Sequence, residues 1–385
     1  MIAVFTLIDA LGWTYIKDRP LLPDILTYRR EVRTVLGFSS GAIPTLLSGK
    51  LPRESGHWNL FYYDPERSPF RWVRWFRFLP SSILNHRVVR RGIRFISQRM
   101  SRFGGYFQLY GVPVELLPYF DICEKKDIYR PGGVPSSLFD RLEELGVRYR
   151  TYSYHQFSDE EIVQTAQRDM NERKYDFYFL YLSELDAYLH NACQDAEGVE
   201  RQLSRYEKWL NEVYETARKA DEEVAFYVLS DHGMTPKRSG YDLVGKIREL
   251  NLAMPRDYLA LYDSTMARFW FFNERAEKQI TSRLTELDCG HILSQKEKRD
   301  LGIDFPDDRQ GKTVFLMNPG VLIEPSFFGK TAPEGMHGFH PDDPYSSAVF
   351  LSNAKPEREI RTLVDVHQVM AECADTLRDG VHAER

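Results

Sequence analysis

The stretch Ala225-Phe226-Tyr227-Val228-Leu229-Ser230-Asp231-His232-Gly233-Met234 decides how the rest of the chain is read. An apolar run of strand composition stops at two adjacent metal-ligating side chains and a glycine. Two other apolar runs also end in acids: Ile2 to Ile8 stops at Asp9, and Phe177 to Leu182 is followed shortly by Asp186. In an open parallel sheet the ligand crevice lies outside the carboxyl ends of the strands, so three acid-ending strands deliver three carboxylates to one place.

Around these strands the pattern alternates. A helix is expected after Gly41, another from Ser137 to Leu145 stopped by Gly146, and a strand follows from Val147 to Tyr152. Between two acid-ending strands, Val199, Leu203, Tyr206, Leu210, Val213 and Ala217 recur at three- and four-residue spacing, which predicts an amphipathic crossover helix up to Ala220. Asp365 to Leu377 is a further helix that packs back on the sheet. The alternation predicts an α/β fold: a mostly parallel central sheet with helices on both faces. Two stretches, about 63–133 and 235–330, break it, and both read as inserted cap or lid segments over the site within one catalytic domain spanning 1–385.

Composition narrows the class. With 43% hydrophobic, 14% aromatic and 28% charged residues among 385, the chain is an ordinary folded globular protein. A formal net charge of -5 makes nucleic acid an unlikely partner, since that partner needs a basic face. Cys123, Cys193, Cys289 and Cys373 lie far apart, with neither CxxC spacing nor a disulfide framework, which fits a reducing compartment. The first residues lack a basic leader and no apolar run is long enough to span a bilayer. A cytoplasmic protein is expected, with peripheral membrane association left open.

Asp9, Asp186, His190, Asp231, His232 and His337 form a mixed carboxylate and imidazole set of the kind zinc, manganese or iron accepts. Asp186 and His190 stand four apart and share a face if the strand has already turned into a helix. Flanking glycines in Gly335-Met336-His337-Gly338 suit a ligand on a loop. Singly, each has a plainer reading as an N-cap, a solvated pair or a turn. Jointly they supply the ligands for two ions. The nucleophile candidate is Ser39, in Gly37-Phe38-Ser39-Ser40-Gly41, where a serine at a helix N-terminus meets backbone N–H groups able to hold a phosphate oxygen. A Ser-Ser N-cap without catalysis is the alternative.

The order Asp9, Ser39 with Leu47-Ser48-Gly49 closing ten residues later, Asp186-x-x-x-His190, Asp231-His232-Gly233 and His337-Gly338 resembles the alkaline phosphatase superfamily. Within it, Leu51-Pro52-Arg53-Glu54-Ser55-Gly56-His57-Trp58-Asn59 is similar to the Pro-Glu-Ser-His-Gly stretch and following Asn of the type I phosphodiesterase/nucleotide pyrophosphatase branch. The resemblance implies Asp9, Ser39, Asp231 and His232 around one divalent ion, most often zinc, and Asp186, His190 and His337 around the other, with Asn59 on a phosphate oxygen. It implies hydrolysis of phosphodiester or pyrophosphate bonds through a covalent Ser39 intermediate. A phosphotransferase acting on a lipid or glycan acceptor, or a phosphomonoesterase or mutase, is the alternative within the superfamily. Two departures stand out: the branch more often has Thr where this chain has Ser39, and a Gly where it has Leu189. Ile43 occupies the position where a sulfatase would need Arg, which removes that reading.

From Arg67 to Arg102 the chain is strongly basic, with Arg71, Arg74, Arg77, Arg87, Arg90, Arg91, Arg94 and Arg99 between and Trp72, Trp75, Phe76 and Phe78 interleaved. Such a segment suits an anionic membrane interface or a lipid-linked substrate, and its plain reading is a basic insertion packed on an acidic protein or an oligomer contact. Single-stranded nucleic acid ranks last. Phe61-Tyr62-Tyr63, shortly after Asn59, could stack on a leaving group or pack in a core.

Overall fold

The computed structural model describes residues 1–101 and 103–383, so Arg102 lies outside the described residues. A six-stranded sheet forms the centre, from β1 (Ile2–Ile8), β2 (Tyr28–Val32), β3 (Tyr149–Tyr152), β4 (Phe177–Leu182), β5 (Val224–Leu229) and β6 (Ala348–Ser352). Their order across the sheet is β2-β6-β5-β1-β4-β3. β1 pairs in parallel with both β4 and β5, β3 runs parallel to β4, and β6 alone is antiparallel to its neighbours. β1 is buried along its whole length, as a central strand covered on both faces must be.

Side chains alternate between two cores because successive residues of a strand face opposite ways. Ala3, Phe5 and Leu7 join one cluster with α1 (Ser39–Ser48), α2 (Leu138–Leu145) and α6 (Leu363–Ala383). Ile2, Val4 and Ile8 join the other with α3 (Asp159–Asn171), α4 (Glu184–Ala192) and α5 (Ala196–Ala220). α5 buries the Val199, Leu203, Tyr206, Leu210, Val213 and Ala217 seam that its periodicity predicts. α2 is capped by Ser137 and ends at Gly146 in the left-handed conformation. The helix expected after Gly41 begins two residues earlier, at Ser39, with extended Phe38 before it. The earlier start puts Ser39 in the first turn of the helix, in keeping with its reading as a serine at a helix N-terminus.

Both interrupting stretches are ordered. The first pairs Phe61–Tyr63 with Phe120–Ile122 and carries a 3-10 turn at Arg71–Phe76 and a helix at Arg87–Ser101. The second contains an antiparallel sheet of Tyr258–Tyr262, Met266–Phe271, Thr313–Met317 and Gly290–Ile292. Leu259, Leu261 and Trp270 of that sheet pack against Phe70, Ile93, Phe107 and Leu117, so the two stretches share a core. Among the described residues, no helix is long and apolar enough to cross a membrane.

Candidate active site

The parallel register sets the strand ends level: Leu7 lies beside Tyr181 and Leu229, and Ile8 beside Leu182. Asp9 therefore emerges next to Asp231, and its backbone N–H donates to the Leu182 carbonyl at 2.9 Å. Both acids are buried. Asp9 Oδ2 accepts from the Tyr181 hydroxyl, while Asp231 Oδ1 accepts from the Ala10 N–H at 3.4 Å. Gly233 follows because nothing larger fits there: a Cβ would sit 2.2 Å from the Tyr345 carbonyl oxygen.

β4 turns directly into α4, so Asp186 and His190 do share a helix face, with Asp186 Oδ2 3.3 Å from His190 Nε2. His337, arriving from the far end of the chain, places Nε2 3.6 Å from Asp186 Oδ1 and stacks on His232 at 3.8 Å between ring centroids. His190 Nδ1 lies 2.9 Å from the Gly335 carbonyl and His232 Nδ1 3.0 Å from the Gly233 carbonyl. Carbonyls only accept, so both Nδ1 atoms carry the proton and both Nε2 atoms face the acids. Leu189, standing where the resembled branch has Gly, is buried in the core and takes no part in the cluster.

His232 Nε2 is 3.1 Å from Asp231 Oδ2 and 3.5 Å from Asp9 Oδ1. Burial pulls the His232 pKa down, but Asp231, with Asp9 and Asp186, outweighs it and pushes the imidazole up to about 10. Burial, then Asp231 and Asp186, hold the Asp9 carboxyl well above the usual range. His337 is driven well below an ordinary imidazole by burial and then by His232 and His190. Three carboxylates and three imidazoles crowded into one largely buried site suit a bound cation.

The polar inventory points the same way. Asp9 Oδ1, Asp186 Oδ1, Asp231 Oδ2 and His337 Nδ1 are buried without a hydrogen-bond partner. Donor atoms converge in two sets, each within 4.8 Å: Asp186, His190 and His337, and Asp9, Asp186 and His232. These Asp and His groups could hold metal. The second set differs from the sequence expectation in containing Asp186, which reaches both sets, while Asp231 adjoins it with Oδ2 3.1 Å from His232 Nε2.

Ser39 Oγ lies 2.9 Å from His232 Nε2, at the opening turn of α1. Ser40 Oγ donates to the Trp58 carbonyl at 2.8 Å, which fastens the chain entering Asn59 to the same turn. Asn59 is buried; its Oδ1 has no partner, and its Nδ2 meets only the Met266 sulfur at 3.9 Å. All these groups except Asp231 and His232 line one cavity of about 760 Å³.

The cavity walls are residues that motif reading did not single out. Tyr106, Tyr110, Tyr129, Tyr154, Phe327 and Phe328 form the sides, with Glu124, Asp263 and Arg268 as polar groups. They come from irregular segments whose aromatics have no spacing to read. Arg268 is buried against Asp263 at 3.1 Å. Glu124 is pushed up to about 7 by burial and then by Asp127. Of Phe61-Tyr62-Tyr63, only Phe61 reaches the cavity; Tyr62 donates to Asp121 at 2.9 Å and Tyr63 packs near Trp270.

The family model for type I phosphodiesterase / nucleotide pyrophosphatase matches residues 4–340. The fold is similar to human ectonucleotide pyrophosphatase / phosphodiesterase 5, at a TM-score of 0.70 and 13% identity over 97% of this chain and 95% of that one. An inactive form of the murine protein of that name, in complex with AMP, is similar at 0.67 and 16% over 97% and 95%. Phosphonoacetate hydrolase from Sinorhizobium meliloti, in complex with phosphonoacetate, is similar at 0.62 and 13% over 97% and 96%. No curated protein matches the sequence.

Proposed function

This chain belongs to the type I phosphodiesterase / nucleotide pyrophosphatase family of phosphoester hydrolases, and from that premise we propose that it cleaves phosphodiester or pyrophosphate bonds with Ser39 as nucleophile beside two divalent ions, zinc in preference to manganese or iron. The observation that carries the reading is Ser39 Oγ at the opening turn of α1, 2.9 Å from His232 Nε2 and on the wall of the cavity that Asp186, His190 and His337 also line.

Asp9, Asp231 and His232 with Ser39 would hold one ion, and Asp186, His190 and His337 the other, with Asp186 near enough to serve both. The ions supply charge that lowers the serine's proton affinity and neutralises the phosphate. The remaining work belongs to the chain. The N-terminal end of α1 favours the negative charge of a phosphoryl group beside Ser39. Asn59 offers its free amide to a non-bridging oxygen, which holds phosphorus in line with the Ser39 oxygen. Ser39, its proton lost to solvent, then forms a bond to phosphorus as the bond to the leaving alcohol or phosphate breaks and that oxygen takes up a proton. Water later cleaves the Ser39 oxygen–phosphorus bond to release the phosphate product and restore the hydroxyl. Tyr106, Tyr110, Phe327 and Phe328 give the leaving group an apolar, aromatic wall, which suits a nucleobase or another flat group.

Four free cysteines support a reducing compartment as the place of action. The test is a panel of phosphomonoesters, nucleotide diesters, dinucleotides and lipid-linked diphosphates offered to metal-loaded protein. Diester or pyrophosphate turnover well above monoester turnover is expected. Monoester turnover in excess, or product formed only with an acceptor alcohol present, would overturn the reading.

A further inference from the structure

We propose that the outer face of residues 71–100 is a docking surface for an anionic lipid bilayer. Trp75, Phe78, Val88, Phe95 and Met100 are 81, 75, 69, 67 and 67% exposed. Elsewhere among the described residues, large hydrophobics reach only 36–45%, at Tyr154, Phe272 and Tyr345. The exposure is therefore concentrated on one segment, and a concentrated apolar patch on a folded protein marks a contact surface.

The helix Arg87–Ser101 shows how the patch arises. Ile93 and Ser97 point inward and are buried, which satisfies the seam that packs on the protein. Val88 and Phe95 fall on the opposite face, Ile96 and Met100 continue the side of Ile93 toward the helix end, and all four are exposed. Arg91 and Arg94 flank that ridge, and both are exposed. The helix thus carries more apolar surface than the fold uses, and the surplus is left exposed.

Charge selects the occupant. From Arg67 to Val114 the sequence contains no acidic residue, and among the described residues no arginine from 67 to 99 enters an ion pair. Arg90 is spent internally, donating to the carbonyls of Val112 at 2.8 Å, Leu109 at 3.3 Å and Tyr110. A surface that offers aliphatic and aromatic side chains together with unpaired guanidinium groups matches the boundary between anionic headgroups and acyl chains. Nucleic acid would use the arginines and rings but leave Val88, Ile96 and Met100 against water. Arg90 also fixes the geometry, because the Tyr110 it straps down lines the catalytic cavity.

The surface and its test do not depend on the chemistry proposed for Ser39. Full-length protein is floated with vesicles of phosphatidylcholine alone or with 30% phosphatidylglycerol, a composition chosen as roughly that of an anionic membrane surface. Flotation with the anionic vesicles, weakened by salt and slight with the neutral ones, is expected. The combined Trp75→Ser, Phe78→Ser and Phe95→Ser variant should partition about a thousandfold more weakly, at roughly tenfold per aromatic side chain. Arg91→Glu with Arg94→Glu should weaken it about tenfold or more. All five positions are exposed, so circular dichroism and the thermal melt in solution should be unchanged and serve as the folding control. No flotation, equal flotation of the variants, or a dimer in sedimentation that the triple variant abolishes would overturn the proposal, the last by making a second copy the occupant.

Discussion

Replacing Ser39 with alanine separates catalysis from stability in one experiment. The hydroxyl makes a single hydrogen bond, 2.9 Å to His232 Nε2, and the helix N-cap is Phe38, whose side chain caps nothing. Removing Ser39 Oγ therefore forfeits about 1 kcal/mol at most, and His232 keeps Asp231 at 3.1 Å. For a chain of this size that moves Tm by no more than a few degrees. If Ser39 is the attacking atom, the loss in kcat/KM is of another order: roughly 10³ to 10⁴, or about 4 to 5.5 kcal/mol in the barrier. Hydrolysis of bis(p-nitrophenyl) phosphate, read beside a thermal melt and metal analysis by mass spectrometry, measures all three quantities. Ser39→Thr is the companion, because the branch this chain resembles more often has threonine there, and it should retain turnover within about tenfold. A folded, metal-replete alanine variant with a tenth or more of the original activity would refute Ser39 as nucleophile. So would an alanine variant whose activity falls only in proportion to lost metal, since its effect would then run through the cluster.

Chelation should abolish turnover and also lower Tm, since Asp9, Asp186 and Asp231 are left with buried unpartnered oxygens, and added zinc should restore both; an unchanged melt with no metal found would remove the two-ion reading. Asn59→Ala should reduce kcat by about 10- to 100-fold with a smaller change in KM, the signature of a donor used more in the transition state than in the ground state. Equal loss for anionic phosphodiester and neutral phosphotriester substrates would argue for a packing role instead. Glu124 gives a pH prediction. Its folded pKa of about 7 lies above the ordinary 4.5, so between those values the folded chain holds a proton the unfolded chain has released, and stability falls as pH rises through that window. Glu124→Gln should then stabilise by on the order of 1–3 kcal/mol at pH 8 and by almost nothing near pH 4. Parallel stability curves for the two proteins would show that water in the cavity already solvates the carboxylate.

Parts of the site were legible because each rests on a local rule. Asp9 and Asp231 sit at the ends of apolar strands, and two adjacent parallel strands in register bring their ends together with no further information. Asp186 and His190 needed only the assumption that the chain had turned into a helix, and α4 begins at Glu184. Other parts depend on distances that no pattern encodes. Tyr181 reads as one more apolar residue of β4, yet its position beside Leu7 carries its hydroxyl to Asp9. Asp186 reaches both donor sets because His337 returns from the far end of the chain. β6 is a short buried run like any other, and nothing in Ala348–Ser352 announces that it enters antiparallel between β2 and β5.

The arginine-rich segment marks the limit most clearly. Its composition alone proposed a membrane or a packed insertion, and periodicity could not choose between them. Ile93, Ile96 and Met100 share one side of the helix and Val88 and Phe95 lie round from it, so periodicity marks an apolar side but not how much of that side the core covers. The choice is made by the partners: Phe70, Phe107 and Leu117 claim the inner side together with Ile93, and Arg90 spends its donors on the carbonyls of the 109–112 turn. What remains outside is an apolar ridge with arginines beside it. Burying that ridge at the protein's own expense would have required acids facing Arg91 and Arg94, and the segment carries none. The same absence of acids that leaves the arginines unpaired is what makes an anionic surface, and not the protein's own interior, their fitting partner.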